Sequence, residues 1–152
     1  MIISYRQSIC DISYCNLLPL QAKHLNITLI KKSLADSELL REIILEGLQE
    51  KKAQDITVLD LRSINNSIAD FFIICTGSSD TQIDAISSSV EKMVLEKLQE
   101  RPHMTEGRTN REWILLDYID IMVHVFNRDR RSHFALEELW GDAEITRIEN
   151  MY

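Results

Sequence analysis

The chain has 152 residues with 45% apolar content, enough for one domain with a sizeable core. No run approaches the ~20 apolar residues of a membrane span. The net charge of −7 argues against broad capture of a nucleic-acid backbone, which needs a positive surface. The charge is uneven: residues 1–32 hold Arg6, Lys23, Lys31 and Lys32 against Asp11, so the remainder carries −10. Such a balance suits docking on a basic protein partner. Three cysteines without a paired framework, Cys10, Cys15 and Cys75, suggest a reducing, cytoplasmic setting.

Residues 1–32 read as a loosely ordered N-terminal extension, with scattered apolar residues interrupted by Pro19 and no secretory pattern. Residues 33–144 read as the folded domain and 145–152 as a polar tail. Ser33 and Asp36 fit a capping box. Leu39, Leu40, Ile43, Ile44 and Leu48 follow at helical spacing, predicting a helix over 34–51 with Gly47 a local weakness or a place of close packing. Residues 56–61 alternate as a strand, 63–70 form a loop, and Phe71–Thr76 is a strand covered on both faces. Gly77-Ser78-Ser79 turns the chain, with Ser79 and Gln82 as a second capping box. Ile83, Ile86, Val90, Met93, Val94 and Leu98 mark a helix ended by Arg101-Pro102. Residues 104–107 read as a loop or short edge strand.

The stretch Glu112–Asn127 is the most ordered in the chain. Fourteen residues from Trp113 to Phe126 exceed a strand of about 5–6. The polar interruption at residues 117–120 therefore predicts two antiparallel strands joined by a tight turn. Arg128–Arg131 reads as a solvated charge run. Ser132 then caps a short helix carrying Phe134, Leu136, Leu139 and Trp140, stopped by Gly141. The order of elements predicts an α/β domain with a small mixed sheet and flanking helices.

Neither G-x-x-x-x-G-K-[ST] nor G-x-G-x-x-G occurs, and there is no G-x-S-x-G elbow or H-E-x-x-H. Gly77-Ser78-Ser79 could offer amides to an anion, but ordinary capping explains these residues better. A nucleotidyltransferase-like, magnesium-binding alternative has only Asp117 and Asp120 to draw on, three residues apart, with no third acid. No cofactor or metal is expected; Cys10 and Cys15 have only His24 nearby. His124, mid-strand among apolar residues, reads as a satisfied core group. A plain homodimerisation module is the other alternative.

The segments ADFFIICTGSSDTQIDAI, EWILLDYIDIMVHVF and HFALEELWGDAE resemble the ribosomal silencing factor family, also called Iojap-like, over residues 33–144. The resemblance implies a fold similar to nucleotidyltransferases without their catalytic acids. It implies binding to ribosomal protein uL14 (L14) of the large subunit, a steric block to subunit joining, and lowered translation when nutrients are scarce. It also implies a homodimer when free. The chain departs from the family pattern at Ile119, where a turn glycine is usual, and at His133-Phe134, where two aromatics are frequent.

On that reading the hairpin and the last helix supply an acidic, aromatic-studded docking face. Its expected residues are Trp113, Asp117, Tyr118, Asp120, Leu136, Glu137 and Trp140. Aromatic side chains there supply buried area, and the acids steer approach to a basic partner.

Overall fold

A computed structural model of the protein describes residues 36–149. The expectations placed on residues 1–32 and on Cys10, Cys15, His24 and Ser33 lie outside the described residues. Helix α1 covers residues 36–50, and strands β1 (Gln54–Asp60) and β2 (Phe71–Thr76) follow. Next come α2 (Asp80–Leu98), β3 (Met104–Glu106), β4 (Trp113–Asp117) and β5 (Ile121–Phe126). The chain continues through α3 (Arg128–Phe134), α4 (Leu136–Leu139) and β6 (Glu144–Arg147). The six strands make one mixed sheet in the order β3-β4-β5-β2-β1-β6, in which only β2 and β5 pair in parallel.

One face of the sheet lies under the two long helices. Leu40, Ile43, Ile44 and Leu48 of α1 and Ile83, Ile86, Val90 and Val94 of α2 pack with Val58, Ile73, Cys75, Ile114, Leu116, Val123 and Val125. These positions recur at three and four in the helices and at two in the strands, so one stripe and one row meet. Leu39 falls off the buried stripe and is 47% exposed. Gly47 is a place of close packing: a Cβ there would sit 3.0 Å from the Val90 Cα. Burial pushes the Cys75 thiol up to about 12, as suits a small hydrophobe in the core.

The ends of several elements differ from the sequence expectation, β1 among them, which spans Gln54–Asp60 in place of 56–61. Helix α2 stops at Leu98 because Gln99 adopts a left-handed conformation (φ 59°) and its N–H donates to the Leu95 carbonyl; Pro102 comes later. The run Arg128–Arg131 is helical, not a solvated loop, since Asn127 Oδ1 caps α3 by accepting from the Arg130 N–H at 2.8 Å. Ser132 is therefore inside a helix, its hydroxyl donating back to the Arg128 carbonyl. Ala135, at φ 43°, separates α3 from α4. Finally, Ile145 to Arg147, expected in a polar tail, belong to edge strand β6, which pairs antiparallel with β1. All four β6 side chains are exposed, so no alternating pattern marked this strand in advance.

Candidate functional site

The second face of the sheet has thinner cover. The hairpin register pairs Trp113 with Phe126, Leu115 with His124 and Asp117 with Met122. The Tyr118 N–H donates to the Ile121 carbonyl, so only Ile119 and Asp120 form the tip, and this even-numbered turn exchanges the two rows: Trp113, Leu115 and Asp117 share a face with Met122, His124 and Phe126. A continuous strand would have grouped Trp113 with Val123 and Val125.

On this face the Trp113 ring stacks on Phe126 (5.3 Å between centroids, 17°) and on His124 (5.9 Å, 16°). Phe134 closes on Trp113 at 4.9 Å, and Trp140 meets Phe72 edge-on at 5.5 Å. The short helices α3 and α4 contribute Phe134 and Leu136 here, and Leu61, Ile64, Ala69 and Ala143 complete the cluster. Trp113, Met122, Leu136 and Trp140 stay half-buried against the second core cluster. Phe134 is 39% exposed and Leu139 73%.

Arg131 ties α3 and α4 to the sheet. One of its terminal nitrogens, Nη1, donates to the Asp55 carbonyl (2.6 Å) and the Thr76 hydroxyl (2.9 Å). The other, Nη2, donates to the Thr57 hydroxyl (3.0 Å) and to Glu137 Oε1 (2.6 Å). Nε donates to the same Glu137 oxygen at 2.9 Å. The sequence reading missed this residue, because an arginine in a charge run gives no sign that it folds inward.

The seven expected residues divide. Trp113, Leu136 and Trp140 gather on the thinly covered face. Glu137 lies there too, but its carboxylate is engaged by Arg131. Asp117 is 8% exposed, and its Oδ1 accepts from the Ile119 N–H at 2.7 Å, so it shapes the turn. The exposed Asp120 accepts at its backbone carbonyl from the N–H groups of Asp70 (2.7 Å) and Phe71 (3.1 Å). Tyr118 is on the opposite face, 7% exposed within the core beneath α1 and α2. Burial, with Glu91 and Glu100 adding, holds its hydroxyl protonated well above the usual range.

His124 is buried as expected, but neither ring nitrogen has a hydrogen-bond partner among the described residues. Burial pulls it down to about 3, so it is neutral at pH 7 and too weak a base for proton transfer there. The turn at Gly77 keeps its amides for itself. Ser78 donates from its N–H and its hydroxyl to Gln82 Oε1, both at 2.7 Å, and the Gln82 N–H donates to Ser79 Oγ at 3.2 Å. Gln82 Nε2 reaches the carbonyls of Lys51 and Lys52, joining the end of α1 to the start of α2. A Cβ at Gly77 would lie 2.6 Å from the Ile83 side chain, which explains the glycine by packing. Among the described residues no three His, Cys, Asp or Glu side chains cluster, and no helix is long and apolar enough to cross a membrane.

Known proteins are similar to this chain in sequence and in shape. The profile of the family described as "Ribosomal silencing factor during starvation" matches residues 34–151. The "Ribosomal silencing factor RsfS" of Halalkalibacterium halodurans is 36% identical over 118 residues, covering 78% of this chain and 98% of that protein. Its Bacillus subtilis counterpart is 38% identical over 108 residues, covering 71% and 90%. A crystal structure of a Chromobacterium violaceum protein superposes with a TM-score of 0.64 at 31% identity, over 68% of this chain and 85% of that one.

Proposed function

The chain belongs to the RsfS family of ribosomal silencing factors, and from that premise we propose that it docks on uL14 of the large ribosomal subunit. Once docked it stands where the small subunit would sit and lowers translation under nutrient limitation. The action is steric; no bond is made or broken.

The observation that carries this reading is the thinly covered face. Two short helices leave Trp113, Met122, Phe134, Leu139 and Trp140 partly open, and Leu139 is 73% exposed. Aromatic and aliphatic side chains at such a face supply the buried area of a contact. The acidic balance of the chain favours a basic partner and a fast, salt-sensitive approach. Trp113, Leu136, Leu139 and Trp140 are the anchors, with Asp120 at the rim. Asp117, Glu137 and Tyr118 act behind the face, holding the turn, helix α4 and the helix-side core. In the absence of ribosomes a second copy pairs with the chain.

Co-sedimentation with purified large subunits at two salt concentrations tests the proposal, together with a subunit-joining assay. Binding that weakens with salt and lowers joining supports it. Large subunits that sediment without the protein at low salt would end it.

A further inference from the structure

We infer that Ile119 is a contact residue of this docking site, an apolar knob held out toward the ribosomal protein; the inference rests on the reading just given. Ile119 has φ 73°. The Asp120 N–H donates to the Tyr118 carbonyl at 2.9 Å, closing an i→i+2 bond over it. A γ-turn with positive φ is rare and strained. In a β-branched residue it is an outlier, because the second branch crowds the backbone. The Ile119 side chain is nevertheless 50% exposed, so burial within the domain does not compensate the strain in full.

The frame around this residue is rigid. The Tyr118 N–H donates to the Ile121 carbonyl at 2.9 Å, and Asp117 Oδ1 holds the Ile119 N–H. The Asp120 carbonyl takes the N–H groups of Asp70 and Phe71 from the neighbouring strand. The direction of the side chain is therefore set before any partner arrives, and a pre-set apolar group loses little freedom on binding. Strain kept in place by an over-determined surround is a pattern of ligand clamps and switch sites. The knob also adjoins the docking face: Asp117 pairs with Met122 at the base of the turn, and exposed Asp120 follows it directly. An apolar tip beside an acid suits a basic protein surface better than phosphate-rich RNA.

The test uses the full chain with Ile119→Gly, Ile119→Ala and Ile119→Val, each measured for affinity to purified large subunits and for thermal stability. Glycine relieves the strain and removes the knob, so Ile119→Gly melts higher than the wild type yet binds about tenfold more weakly. Ile119→Ala also binds weakly but gains less stability, and Ile119→Val keeps most of the affinity. Wild-type affinity in both the Gly and Ala variants overturns the inference and leaves the ribosomal reading intact. Failure of the wild type itself to bind removes both. Weakened self-association with unchanged subunit binding gives Ile119 to a contact between copies and overturns the assignment to the ribosome.

Discussion

Arg131 and Glu137 meet across the left-handed bend at Ala135, with Nη2 and Nε of the arginine 2.6 Å and 2.9 Å from one carboxylate oxygen. The pair is only 16% and 26% exposed, and the same guanidinium also bonds to β1 and β2. It therefore joins the two short helices to the sheet where apolar cover is thin. Arg131→Met lowers stability by about 2–3 kcal/mol, since hydrogen bonds to a charged group are lost and Glu137 is left without its partner. Urea unfolding measures the loss. A double-mutant cycle with Glu137→Gln gives a coupling of about 1 kcal/mol or more if the pair acts as described. Strictly additive losses would contradict that role.

Tyr118 gives a second prediction. Its side chain lies under α1 and α2, and its hydroxyl has no partner among the described residues. Tyr118→Phe removes a buried polar atom, so stability stays level or rises by up to about 1 kcal/mol. Tyr118→Ala opens a cavity and costs about 3–5 kcal/mol. Thermal melts measure both. Affinity for large subunits is unchanged in Tyr118→Phe; a marked loss there would mean that the hydroxyl reaches the partner.

The course of the chain was legible where one physical signal dominates. Phe71–Thr76 was placed by its unbroken apolar run, and the break at Asp117–Asp120 predicted the hairpin. The exposed strand β6 escaped because it buries no side chain and exists through backbone pairing with β1. Helix α3 escaped because the polar residues of Arg128–Arg131 suit a loop or an exposed helix equally; what selects the helix is the Asn127 cap and the inward bonds of Arg131. The docking face was half legible. Aromatic residues near element ends pointed to Trp113 and Trp140, but Tyr118 follows Ile114 and Leu116 at a spacing of two and so falls on the helix-covered face, opposite Trp113. Leu139 is 73% exposed at the end of a short helix that begins after the left-handed Ala135, a break the sequence does not announce.

Leu139 gives the third prediction. At 73% exposure it has little to lose on truncation, so Leu139→Ala changes stability by less than about 0.5 kcal/mol. As an anchor of the proposed contact, the same variant weakens large-subunit binding by roughly tenfold, the scale of an interface residue worth more than 1 kcal/mol. Titration of labelled protein against large subunits reads the affinity, and a melt of the same sample reads the stability. Unchanged affinity would take α4 out of the contact.

His124 gives a dependence on pH whose sign follows from its burial. The folded chain holds it down to about 3, against about 6.5 when unfolded. Between these values the unfolded chain binds a proton that the folded chain does not. Stability is therefore greatest, as far as this group is concerned, above the unfolded value. It falls as pH drops, by at most about 1.4 kcal/mol per pH unit, until the folded value is reached. The ring stacks against Trp113 and Phe126 and makes no hydrogen bond through its nitrogens among the described residues, so phenylalanine can take its place. His124→Phe removes this proton linkage while the carboxylates contribute as before. Urea unfolding of both proteins from pH 7 to pH 4.5 should show the variant gaining steadily on the wild type as pH falls. Parallel curves would mean that His124 takes up its proton in the folded state as easily as in the unfolded one.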